Sequence, residues 1–125
     1  MSGAVILVVE DNFLNRVLAR DVLERRSHRI IEAVSVEEAR EKLKGELPDV
    51  VLLDIGLPGG GGELLMKEIR ADVRLAKLPV IAVTAYAMVG DKERFLAAGF
   101  DGYLSKPINT RTFGPEVEGY IRRPA

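Results

Sequence analysis

Asp49-Val50-Val51-Leu52-Leu53-Asp54-Ile55-Gly56-Leu57-Pro58 is the stretch on which the fold turns. Val50, Val51, Leu52 and Leu53 do not alternate between apolar and polar, so a strand over 49–53 is apolar on both faces and belongs inside a sheet covered on both sides. Asp54 then ends that buried strand with a charge, and no helix opens directly after it for the carboxylate to cap. An acid so placed is a candidate for chemistry, because a desolvated charge is costly unless something nearby compensates it.

The same reading extends outward in both directions. Ala4 to Val9 is a short apolar run rich in β-branched residues, and Asp11-Asn12 opens a helical stretch in which Leu14, Val17, Leu18 and Val22 recur at helical spacing. Arg29 to Ala33 is a second strand. Ser35 and Glu38 are spaced as a capping box, ahead of a helix that places Val36, Ala39 and Leu43 on one face. Gly45 to Pro48 breaks that helix. Beyond the glycine run Gly59 to Gly62, the pattern predicts a helix over Glu63 to Ala71, a strand over Pro79 to Val83, a helix over Ala87 to Ala98 ended by Gly99, and a brief strand over Gly102 to Leu104. Strands alternating with helices through short connections predict a doubly wound α/β protein with a parallel sheet. Ligands in such sheets bind beyond the carboxyl ends of the strands.

Composition bounds what can happen there. The 125 residues suit one domain spanning 1–125, 47% are hydrophobic and 30% charged, and 18 basic residues against 19 acidic ones exert no general pull on nucleic acid or membrane. With no cysteine and one histidine, His28, thiolate and histidine metal cages are excluded. Met1 to Val9 is too short to span a bilayer and lacks the features of a secretory signal, so a cytoplasmic location is the default. His28, after Arg25-Arg26-Ser27, is expected in an exposed turn and not as a phosphodonor.

Three acids fall at strand ends: Glu10 and Asp11 after the first strand, and Asp54 after the third. Crowded carboxylates repel one another, and Mg²⁺ suits a site with few carboxylates and retained waters. The fourth strand ends in Thr84-Ala85 and the fifth leads through Ser105 to Lys106-Pro107. A hydroxyl and a fixed positive charge facing carboxylates make a receptor for a phosphoryl group.

These motifs resemble those of the receiver domains of two-component response regulators. Val8-Val9-Glu10-Asp11-Asn12 resembles the family's acidic pair, Leu53-Asp54-Ile55-Gly56-Leu57-Pro58 its phosphoacceptor segment, and Val83-Thr84-Ala85 and Tyr103-Leu104-Ser105-Lys106-Pro107-Ile108 the remaining two signatures. The phrases around Asn12 and Tyr86 are most similar to stand-alone regulators of the DivK kind and to receivers of hybrid kinases. The resemblance implies a five-stranded flavodoxin-like sheet of order 2-1-3-4-5. It further implies that Asp54 accepts a phosphoryl group from a phosphohistidine on a sensor histidine kinase or histidine phosphotransfer protein. Asp11, Asp54 and the Gly56 carbonyl would hold Mg²⁺, with Glu10 acting through water. Lys106 would stabilise the added charge, its orientation set by a cis Lys106-Pro107 peptide. Thr84 would bind a phosphoryl oxygen and let Tyr103 turn inward, changing the face of the fourth helix, fifth strand and fifth helix that a downstream protein target reads.

Asn12, Asn15, Arg16 and Leu18, with Ile108, would form the kinase-docking surface. With no output domain expected after Ile121, the chain would act on proteins, as a monomer or a weak phosphorylation-linked dimer. Two departures stand out: the Gly59–Gly62 run, expected to form a mobile loop that lowers Mg²⁺ affinity, and Gly114-Pro115, expected to delay or bend the last helix. Gly56 and Tyr86 stand where the family flanks the route of hydrolytic water. Among rivals, a Walker loop is disfavoured because Glu63-Leu64 follows the glycines, a flavodoxin because acids occupy its phosphate loop, with absence of yellow colour as its test, and an aspartyl phosphatase because Gly56 stands where it wants a second acid. The remaining alternative is a pseudo-receiver that binds proteins without phosphorylation.

Overall fold

The computed structural model describes residues 3–58, 61–85 and 90–121. Strands and helices alternate along the chain as β1 (Val5–Val9), α1 (Phe13–Glu24), β2 (Arg29–Ala33), α2 (Val36–Lys44), β3 (Val50–Asp54), α3 (Gly61–Ala71), β4 (Val80–Thr84), α4 (Asp91–Ala97), β5 (Gly102–Ser105) and α5 (Phe113–Glu118). All five strands pair in parallel, in the order β2-β1-β3-β4-β5.

The two faces of the sheet explain the unbroken apolar runs. Side chains alternate along each strand: Leu7, Val9, Val51, Leu53, Val80 and Ala82 pack under α2, α3 and α4, whereas Ile6, Val8, Val50, Leu52, Ile81 and Val83 pack under α1 and α5. In α2 the buried residues are Val36, Ala39 and Leu43, as the spacing predicts. Its cap differs in detail from the reciprocal box, since Ser35 Oγ accepts from the Glu38 amide while the Glu38 carboxylate accepts from Val34. In α1 the fully buried stripe is Ala19 and Leu23, and Leu14, predicted on the apolar face, is 74% exposed. The periodicity marked the helix correctly but set its inner face one residue, a little over a quarter of a turn, too early.

Local glycines let elements approach closely. A Cβ on Gly62 would lie 2.7 Å from the Asp54 carbonyl oxygen, and one on Gly61 would lie 2.5 Å from Val36 Cγ2. The expectation of a mobile loop therefore fails for Gly61 and Gly62, which open α3 against the end of β3; Gly59 and Gly60 lie outside the described residues. Nor does α5 begin late: it starts at Phe113, so Pro115 sits in the first turn where a missing N–H is tolerated. A Cβ on Gly114 would lie 2.3 Å from the far end of the Arg26 side chain, so a larger residue there would push that arginine aside.

Candidate functional site

Alternation also fixes where the acids go. Asp54 follows Val50 and Leu52 in parity and turns towards the α1 and α5 side of the sheet, at its carboxyl edge, where Glu10 and Lys106 extend the parity of Ile6, Val8 and Leu104. The three meet there. Lys106 Nζ lies 2.7 Å from Glu10 Oε1 and 3.3 Å from Asp54 Oδ1. Glu10, Asp11 and Asp54 each offer a carboxylate oxygen, all within 4.8 Å of one another. Glu10 and Asp54 are buried, whereas Asp11 is exposed.

Each group is held by its neighbours. Asp54 Oδ1 accepts from the Gly56 amide at 2.9 Å, folding the strand's end back over its own carboxylate. Glu10 Oε2 accepts from the Asn12 amide at 3.2 Å, and the Glu10 amide donates to Ala33 O at 3.0 Å. The Lys106 amide donates to Thr84 O at 2.8 Å, which ties the start of the β5–α5 connection to the end of β4, and the Lys106-Pro107 peptide is cis.

Burial and close neighbours shift both Glu10 and Lys106. Burial pushes the Glu10 carboxyl up to about 7; the neighbouring Asp54 adds to this, and the bonds from Lys106 and the Asn12 amide oppose it. For Lys106, burial alone would lower the pKa, but hydrogen bonding and attraction to Glu10, then Asp54, outweigh it and hold the ammonium charged. With Asp11 at the rim, carboxylates outnumber the cation. All donors are hard oxygens, so the cluster fits a hard divalent cation as a further source of countercharge.

Thr84 is buried at the end of β4, in register with Ser105. Tyr103 is half-buried on the other face, its ring stacked on Phe95 at 5.8 Å between centroids. The docking candidates scatter. Asn12 caps α1 by accepting from the Asn15 amide, Asn15 and Leu18 are half-buried, and Ile108 packs against the α1–α5 core. Arg16 turns inward, bonded to Glu32 and to the Glu10 carbonyl. Phe13 and Leu14, the second of which the sequence placed on the apolar face, are 64% and 74% exposed at the head of α1 close to the acids in the chain. Tyr86 lies outside the described residues.

His28 requires a correction. It is buried: Nδ1 accepts from the Ala4 amide at 2.9 Å, so Nε2 carries the proton and donates to Glu118 at 2.7 Å. The turn itself is exposed, but Ser27 adopts a positive φ of 71° and directs the next residue inward.

Comparison with known proteins gives the same result along the whole sheet. Residues 6–117 match the model of the response regulator receiver domain. The chain is 40% identical over 116 residues to the polar-differentiation response regulator DivK of Brucella ovis, covering 93% of this chain and 94% of that protein. It superposes with a TM-score of 0.90 on the crystal structure of a putative response regulator from Chloroflexus aurantiacus, at 28% identity and covering 98% of this chain and all of that one. The Mn²⁺-bound form of response regulator Rcp1 matches with a TM-score of 0.79 at 25% identity, over 98% and 99% of the two chains. The order of strands, the acid cluster at their carboxyl edge and the match over residues 6–117 agree: this chain belongs to the response regulator receiver domain family.

Proposed function

We propose that this protein is a phosphoacceptor whose Asp54 takes a phosphoryl group from a phosphohistidine on a sensor histidine kinase or histidine phosphotransfer protein. The observation that carries the reading is the meeting of Asp54, Lys106 and two further acids at one edge of the sheet. A phosphoacceptor role is general to receiver domains, which act as signalling proteins and not as classical enzymes.

In the reaction an Asp54 carboxylate oxygen attacks phosphorus in line, the new P–O bond forms as the donor's N–P bond breaks, and the electron pair leaves with the imidazole. Lys106, held within reach of Asp54, offers its ammonium to the charge that accumulates on the transferred group. The Asp11 and Asp54 side chains and the Gly56 carbonyl would hold Mg²⁺, with Glu10 acting through water, and the bound ion supplies countercharge to the anionic donor. The Gly56 amide and Asn12 amide keep the two buried carboxylates oriented.

Thr84 and Tyr103 are the proposed switch. The Thr84 hydroxyl would bond a phosphoryl oxygen, and Tyr103 would move further towards the space this vacates, changing the surface of α4, β5 and α5 that a downstream protein reads. Charge-assisted hydrogen bonds of about 1.5 to 3 kcal/mol each are enough for a few of them to invert an equilibrium poised by roughly 2 to 3 kcal/mol.

Incubation with acetyl phosphate and Mg²⁺, followed by intact-mass measurement, tests the reading. The parent gains one phosphoryl group and Asp54→Asn gains none. No gain in the parent would replace the proposal with the pseudo-receiver alternative, and equal gain in both would move the acceptor elsewhere.

A further inference from the structure

Arg16 makes contacts out of keeping with a docking residue. Its side chain is 14% exposed, on the first turns of a helix whose head is open to solvent. Nε lies 3.1 Å from Glu32 Oε1, Nη1 donates to the Glu10 carbonyl at 3.2 Å, and the guanidinium sits 5.5 Å above the Phe13 ring centroid. Glu32 is held in turn by Arg20 Nη1 at 3.2 Å. The carbonyl that Arg16 grips belongs to the peptide joining Glu10 to Asp11. A peptide is planar, so fixing its oxygen fixes the plane that carries both flanking Cα atoms and leaves only ψ of Glu10 and φ of Asp11 to swing the two side chains. The amide on the other side of Glu10 is fixed by Ala33. Both anchors, Glu32 and Ala33, belong to β2.

We propose that Arg16 is a positioning residue that aims the Glu10 and Asp11 carboxylates at Asp54 by pinning their shared peptide to β2. The inference rests on the phosphoacceptor reading and adds a dependence of the acid cluster on a residue that touches none of its carboxylates. The Phe13 ring adds a cation–π contact to the guanidinium and so helps restrain it. Lysine cannot substitute, since a single ammonium lacks the planar fork that reaches a carboxylate and a carbonyl together.

The test compares parent, Arg16→Ala, Arg16→Lys and Glu32→Gln by calorimetric titration with Mg²⁺ and by phosphorylation with acetyl phosphate, at a temperature where thermal unfolding in EDTA shows each variant folded. Positioning predicts a Mg²⁺ Kd raised about tenfold or more in Arg16→Ala. It also predicts little rescue in Arg16→Lys, a smaller effect in Glu32→Gln, and slowed acetyl-phosphate uptake. Acetyl phosphate is too small to need a protein-docking surface, so a docking role would leave both readouts at parental values. That result, or a lowered Tm with unchanged Mg²⁺ affinity, overturns the proposal. Glu32→Gln and Arg16→Lys decide the matter if Arg16→Ala does not fold. A parent that binds no Mg²⁺ and accepts no phosphoryl group overturns the phosphoacceptor reading itself, whereas a competent parent with indifferent variants overturns only the role of Arg16.

Discussion

At the edge where the strands finish, Glu10 and Asp54 share the Lys106 ammonium with Asp11 close beside them; at the edge where they begin, Glu118 and Asp101 are each met by an arginine of their own. Glu118 on α5 receives two hydrogen bonds from Arg26, each 2.7 Å, and one from His28. Arg70 on α3 donates to the carbonyls of Ala76, Leu78 and Gly99 and pairs with Asp101, whose carboxylate also accepts from the Val80 amide. The carboxyl groups record the difference. Glu10 is pushed up to about 7, chiefly by burial, whereas Glu118 is held down at about 2, chiefly by the bonds from Arg26. Similar chemistry thus serves two ends. Matched pairs lock helices to loops, and a surplus of acid leaves a place for an added cation.

Changes at the unbalanced edge should cost function, and changes at the balanced edge should cost stability. The largest effect is expected for Lys106→Met, which removes the ammonium that faces Asp54 and should slow acetyl-phosphate uptake by about a hundredfold or more, measured by intact mass against time. A rate within a fewfold of the parent would take Lys106 out of the chemistry. Next comes Arg70→Ala, which strips partners from three carbonyls and Asp101 and should lower stability by about 3 kcal/mol in urea unfolding, with the phosphorylation rate of the folded protein unchanged.

The smallest and most discriminating effect is in pH dependence, measured in EDTA. Glu118 titrates in the folded state near 2, below its ordinary 4.5, so its contribution is fully present above pH 4.5 and lost as pH falls towards 2. Glu118→Gln should flatten that acid limb. Glu10 titrates near 7, above 4.5, so its contribution is present below pH 4.5 and lost as pH rises through 7. Glu10→Gln should flatten the opposite limb. Slopes of the same sign in both would erase the contrast between the two edges.

Much of this was legible in the residues. The observed strands begin or end within a residue of their predicted positions, because apolar runs bounded by Gly, Pro and acids leave few alternatives. Glu10, Asp11, Asp54, Thr84 and Lys106 could be picked out as strand-end residues before any geometry was known, since a parallel sheet delivers its carboxyl ends to one edge. Less legible were partners far apart in the chain. His28 was placed in solvent because its neighbours Arg25, Arg26 and Ser27 are polar, yet its acceptor for the Nε2 proton, Glu118, stands 90 residues away. Gly61 and Gly62 were read as loop because glycine disfavours helices, and only the closeness of β3 and α2 shows why nothing larger fits.

Pattern along the chain therefore settled which segments become strands, that the central strand over 49–53 is apolar on both faces and which acids arrive at the carboxyl edge, because these follow from local apolar runs and from the common direction of parallel strands. Folding in three dimensions decided the rest. It set which carboxylates share Lys106 and which are neutralised by Arg26, and it turned Arg16 onto the backbone of Glu10. Charge compensation depends on distances of about 3 Å between groups remote in sequence, and no local periodicity encodes those.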